Sequence, residues 1–408
     1  MNKKKLFLWS LYDFANSIIY INFLLYFAQW LVIDGGLSDF WYNAIFAITS
    51  VMLLFSAPAL AAYTDKHGGR KYFLNISTLG TFLSYSFAVI FAFMGTENIF
   101  LVALLFLMGQ YFYQLSFVFF NTLLEDVSDA EHRTRASGIG QFSNNFGQVV
   151  GLAIVLPLAG SRLLPLIPSL LLFILLALPM MIYFKDSKPR IKKIESDELK
   201  NETKTYFKKM IAFFAISVAA PLLVSFFFFS DALLTITNNY PIFMERVFSI
   251  SDTKKSILLM SILIMSALGA LVCGWLGDKF GNKKILKYIL LCWIILLPLV
   301  GFAPTFKILA VFTSMVGLLI GSIRTVTRSL LTSLLSRDNL AYGFAFYTIA
   351  ELFATLIGPL TWGGILALWG NEPVVYRWAL VSMTVYVVIG LLILQFWRQG
   401  KLIKGFQN

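Results

Sequence analysis

Residues 272–284 read VCGWLGDKFGNKK, and residues 59–71 read ALAAYTDKHGGRK. Laid over each other, they align Asp65 with Asp278, Lys66 with Lys279, Gly68 with Gly281, Arg70 with Lys283 and Lys71 with Lys284. The separation is 278 − 65 = 213 residues, about half of the 408-residue chain. A single Asp-Lys-x-Gly turn carries little weight, but two copies half a chain apart mark an internal duplication. Each copy has the chemistry of a tight reversal between helices. Glycine turns without a Cβ clash, the acid can meet a helix N-terminus or a cation, and the basic tail stays in water.

Outward from these turns the sequence is largely apolar. Hydrophobic residues make up 58% of the chain and charged residues 13%, which excludes a soluble domain. Twelve apolar runs have the length of a membrane span, from Leu6–Val32 to Val374–Trp397, and the two turn motifs each follow the second run of a six-run set. The reading is an all-α membrane protein of twelve transmembrane helices in two six-helix pseudo-symmetric halves, 1–184 and 210–408, joined by a basic linker, 185–209. The net charge of +12 collects in alternate loops, so it reports orientation and not a nucleic-acid partner. Both termini and the linker are expected on the cytoplasmic side of the cell (inner) membrane, with the chain acting as a monomer in the lipid bilayer.

Cys273 and Cys292 fall inside spans, and His67 and His132 fall in loops, so neither a disulfide framework nor a metal site is expected. The chain has no Gly-x-x-x-x-Gly-Lys-Ser/Thr phosphate loop, no His-Glu-x-x-His and no Gly-x-Ser-x-Gly. An ATP-driven pump and an intramembrane hydrolase are therefore disfavoured; no enzyme activity and no cofactor are expected.

With Gly274, Leu276, Asp278, Lys279, Gly281, Lys283 and Lys284, the second turn resembles the loop-two motif of the major facilitator superfamily; the first departs from it at Ala61 and Tyr63. The resemblance implies the major facilitator fold, and a gating role for Asp65, Gly68, Arg70, Asp278, Gly281 and Lys283. SLYDFANS from Ser10, NTLLEDVSDAEHRTRASGIG from Asn121, TRSLL from Thr327, FAFY from Phe344 and IGPLTWGG from Ile357 resemble a narrower group, the vacuolar-effluxer-like branch (autophagy-related amino-acid effluxers). That resemblance implies secondary active transport, with amino-acid efflux as the activity.

Polar residues inside the spans are the candidate site. Asp13, Asn16, Ser17 and Tyr20 share one face of helix one, and Asp231, Thr235 and Asn238 share one face of helix seven, 231 − 13 = 218 residues later. Because an ionisable group at membrane depth is costly, the two aspartates are expected to face each other at a central cavity and to bind protons or a monovalent cation; hydrogen-bonded glue between helices is the alternative. Gln110 and Gln114 on helix four, and Gln141, Asn144, Asn145 and Gln148 on helix five, suit either a pore lining or interhelix packing. Helix ten places Gly317, Gly321, Arg324 and Arg328 on one stripe, within reach of Glu351 on helix eleven, as a structural ion pair, a carboxylate-binding site or a proton site. The function expected is transport of a small-molecule substrate, polar and of amino-acid size, by alternating access; a non-transporting sensor or scaffold of the same fold is the rival.

Overall fold

The computed structural model describes residues 2–95, 97–128, 133–186, 208, 217–335 and 340–396. Most of the basic linker, residues 187–207 and 209, lies outside the described residues, as do residues 210–216 at the start of the seventh apolar run and His132. The first half contains α1 (Lys3–Asn22), α2 (Asp39–His67), α3 (Arg70–Phe93), α4 (Ile99–Thr122), α5 (Arg133–Val155) and α6 (Leu166–Tyr183). The second contains α7 (Ala220–Phe248), α8 (Asp252–Phe280), α9 (Asn282–Gly301), α10 (Phe306–Leu334), α11 in two pieces (Leu340–Phe353 and Ile357–Trp369) and α12 (Pro373–Phe396). Past Asn22, α1 continues through two wider turns of π-helix, Phe23–Phe27 and Trp30–Asp34, where Ala28 N–H reaches the Phe23 carbonyl and Gly35 N–H that of Trp30.

Among the described residues, ten helices are long and apolar enough to cross a membrane. The two remaining spans fail that test for different reasons. α5 is a full-length helix diluted by four glycines and four amides. α11 is interrupted between Phe353 and Ile357, so the run expected as one helix is two. Pro359 sits in the first turn of the second piece, where its missing N–H costs no helical bond.

The two repeated turns differ in length. After α2 the chain reverses through Gly68 and Gly69, at φ +79° and +88°; after α8 it reverses through Gly281 alone, at φ +91°. These angles lie in the region that a Cβ makes costly. The basic residues of the first copy satisfy carbonyls at helix ends: Arg70 donates to the Thr122 carbonyl at 3.1 Å, and Lys71 Nζ to that of Ile182 at 3.0 Å. In the second copy Asp278 is exposed, and Asn282 donates to Ser329 Oγ at 2.9 Å. The side chain of Asp65 lies outside the described residues.

Small residues set the closest helix approaches. On the α8–α10 seam, a Cβ on Gly317 would come within 3.0 Å of the Ile262 carbonyl oxygen, and one on Gly321 would be driven into the Ser266 carbonyl. On the α1–α5 seam, a Cβ on Gly147 would lie 2.6 Å from the Phe14 carbonyl oxygen. Backbone-to-backbone contact of this kind is how helices associate where lipid removes the hydrophobic drive.

The halves join through hydrogen bonds that lie mostly toward the end of the bundle away from the termini, with Ser50 and Thr355, at 2.6 Å, nearer mid-depth. Tyr42 on α2 donates to the Asn238 carbonyl of α7 at 2.8 Å, and Asn43 and Asn239 exchange amide hydrogen bonds at 3.0 and 2.7 Å. Tyr26 pairs with Ser256 at 2.9 Å, and Tyr376 donates to Asp39 at 2.8 Å.

Candidate functional site

Between the halves lies a cavity of ≈ 210 Å³. From the first half, α1 lines it with Tyr20, Ile21 and Leu24, and α5 with Gln141, Asn145 and Gln148. From the second, α7 gives Thr237 and Tyr240, α9 gives Trp293, and α10 gives Thr313, Arg324 and Arg328. Apolar side chains of α7, α8, α9 and α10 complete the wall. The result is a mixed surface of aromatic rings, neutral amides and two guanidinium groups, the usual make-up of a small-molecule site.

Helical geometry explains which amides of α5 reach the cavity. At about 100° per residue, Gln141, Asn145 and Gln148 fall on one stripe, whereas Asn144 shares a stripe with Gly140, Gly147 and Gly151, which face α1. Asn144 accordingly donates its amide to Asp13 at 2.9 Å and does not line the cavity.

Asp13 is therefore occupied within its own half, and so is Asp231. The Asp231 carboxylate, fully buried, accepts the backbone N–H of Gly358 at 2.8 Å and caps the second piece of α11. The expectation that these aspartates face one another at a central cavity is corrected: neither is in the lining. The offset of 218 residues that relates them also relates Gly140 to Gly358, since 358 − 140 = 218. Asn144 maps by the same offset to Trp362, since 144 + 218 = 362, so each half fastens its first helix to its fifth through the acid, but to partners one turn apart.

Asn16, Gln110 and Asn238 are buried, Gln114 is half-buried, and none of the four lines the cavity. Asn238 lies on the α7 face that meets α2, and its carbonyl takes the Tyr42 hydroxyl. Arg324 and Glu351 do pair, at 3.4 Å, with Arg324 in the lining and Glu351 beside it. One turn further along α10, the Arg328 guanidinium lies 5.5 Å from the centre of the Tyr347 ring, in cation–π range. Tyr240, Trp293 and Thr313 are lining residues that sequence reasoning missed: apolar aromatic and hydroxyl side chains inside a span look the same whether they face a cavity or a neighbour.

Beyond the cavity, the end away from the termini is closed by an ion-pair cluster. Arg162, in the segment between α5 and α6, meets Asp34 at 2.9 Å, Glu245 at 3.1 Å and Asp252 at 3.2 Å. Burial alone would lower the pKa of Arg162, but the carboxylates of Asp252, Asp34 and Glu245 outweigh it and hold the guanidinium above its ordinary value. Lys255, with no exposed side chain, is bonded to Glu245, to Asp252 at 2.7 Å and to Gln29 at 2.5 Å. Asp34, Gln29 and Arg162 come from one half; Glu245, Asp252 and Lys255 come from the other.

Comparison with known proteins agrees with this geometry. Over 95% of this chain and 93% of its own length, the "Uncharacterized MFS-type transporter YxiO" of Bacillus subtilis (strain 168) is 24% identical. A bacterial homolog of the human lysosomal transporter Spinster, solved inward-facing and occupied, superposes with a TM-score of 0.74 at 15% identity over 96% of both chains. The nucleoside transporter NupG superposes with a TM-score of 0.71 at 15% identity over 97% of this chain and 99% of its own. These likenesses show the fold and not the substrate. The family model for the Major Facilitator Superfamily matches residues 7–251 and 222–406, nearly the whole chain, and with its two six-helix halves around a shared cavity the chain belongs to that superfamily.

Proposed function

We propose that the protein is a secondary transporter of the vacuolar-effluxer-like branch, carrying a small polar solute of amino-acid size by alternating access. The observation that carries this reading is a cavity lined by both halves, with the ion pairs and most of the hydrogen bonds between the halves gathered toward one end. Rocking the halves about that cavity would break the far-end cluster and expose the site on the other side. In the reading, the termini and linker are cytoplasmic, the direction is efflux, and a proton or monovalent cation supplies the coupling. The turn motifs, at the helix ends remote from the cavity, act on exchange between states.

The test starts with a thermal-shift screen of amino acids and related metabolites on purified protein, since a ligand that binds only the folded state raises its melting temperature. Each hit is then followed by counterflow in proteoliposomes. Saturable exchange of a hit is the expected result. A hit that stabilises the protein but is never exchanged identifies a sensor or scaffold and ends the transporter reading.

A further inference from the structure

Charge in the cavity is unbalanced. Among the described residues, its lining contains two arginines and no carboxylate. Glu351, outside the lining, neutralises Arg324 at 3.4 Å, which leaves Arg328 with the Tyr347 ring and, among the described residues, no carboxylate of its own. A guanidinium held at membrane depth without a full counter-charge is costly and marks a ligand path.

A second, independent observation has the same sign. Two lining residues carry buried polar atoms with no hydrogen-bond partner, Nε of Arg328 and Nε1 of Trp293, and both are donors. Buried donors without acceptors are rare, because each costs desolvation without return. Counted along their helices at about 1.5 Å per residue, Trp293 and Arg324 lie at similar depth, about 15–17 Å from the end that holds the termini. Around them Tyr20 and Tyr240 offer aromatic surface, and Gln141 and Asn145 offer neutral amides.

We infer that the cavity takes an organic anion: an oxyanion group, carboxylate or phosphate, held by Arg328 and Arg324, on a small body with an apolar or aromatic face. This rests on the transporter reading and names its substrate class. Arginine suits the role because its planar fork meets an oxyanion through two parallel hydrogen bonds.

Four probes sharing one ring separate the possibilities: benzoate, phenyl phosphate, the neutral benzamide and the cationic benzylamine. Binding to the purified full-length protein is measured by calorimetry, and movement by flux in proteoliposomes. Benzoate or phenyl phosphate should bind and benzamide and benzylamine should not; which anion binds tells carboxylate from phosphate. Arg328→Gln should weaken the anion by about tenfold or more, the weight of one charge-assisted hydrogen bond. Arg324→Gln is made together with Glu351→Gln, so that Glu351 is not left without its partner, and should do the same. Melting without ligand reports whether each variant folds, and the wild-type comparison of the four probes stands without any variant. Benzamide or benzylamine binding as well as the anions, no anion binding at millimolar concentration, or a folded Arg328→Gln with unchanged affinity would each overturn the inference. If neutral or cationic probes are bound and carried while anions are not, the transporter reading survives and the anion inference fails. If anions bind through the arginines but are not carried, the reverse holds.

Discussion

Asp231 shows how a costly residue is held in a membrane without serving the solute directly. Its carboxylate caps the second piece of α11 through Gly358 N–H, and a Cβ on Gly358 would sit 2.9 Å from its other oxygen. Asp231→Ala should cost about 1–2 kcal/mol, the usual price of losing a helix cap, seen as a lower melting temperature in detergent. A solute bound in the cavity should keep its affinity within about twofold, as expected for a site with no shared partner. Wild-type melting with loss of the solute would instead put Asp231 in the binding site. The sequence made the acid and its polar stripe visible, and the duplication made its recurrence visible. A stripe identifies a face of a helix, however, and not the neighbour that covers it. Only the partners Asn144 and Gly358 decide that Asp13 and Asp231 face inward within each half.

Among the elements, the α8–α10 seam controls where the arginines stand. Gly321 sits three residues before Arg324 and leaves no room for a methyl group against the Ser266 carbonyl. Gly321→Ala should force the two helices apart, costing about 1–3 kcal/mol as overpacking does, and weaken solute binding by moving Arg324. Gly274→Ala is the matched control: its Cβ would meet nothing closer than Thr325 Cγ2 at 3.6 Å, and alanine is the better helix former. Melting and affinity of the two variants check the pair; equal behaviour would remove the seam from the account. Most helices were legible as apolar runs bounded by charge. The break in α11 was not, because hydropathy averages across it, although Pro359 carried the signal: a proline has no N–H for the carbonyl four residues earlier, here Thr355, and its ring crowds that carbonyl.

At the scale of the whole molecule, the ion-pair cluster of Arg162, Lys255 and three carboxylates ties one half to the other. Arg162→Ala removes three of its contacts, and Lys255→Met removes a fully buried ammonium. Each should shift the balance toward a state open at the end away from the termini, by roughly 5–150-fold if the coupling has the usual size of 1–3 kcal/mol. The measurement is labelling of Thr313→Cys, in a background lacking Cys273 and Cys292, by a membrane-impermeant maleimide applied from that side. Labelling no faster than in the parent would show that the cluster does not hold the halves together. The π-helical turns of α1 bear on this cluster through the chain's length. From Asp13 to Asp65 is 65 − 13 = 52 residues, whereas from Asp231 to Asp278 is 278 − 231 = 47, so the first half holds five more. None of the five lies in α2, since 65 − 39 and 278 − 252 are both 26. They lie ahead of it, in α1 and the segment that follows. A π-turn accommodates an inserted residue without ending the helix, and each such insertion rotates everything beyond it by about 100°. The difference in length between the halves thus falls ahead of the point where Gln29 and Asp34 reach across, and a one-residue deletion between Phe23 and Phe27 would restore ordinary winding there while rotating the second π-turn and both of those side chains away from their partners.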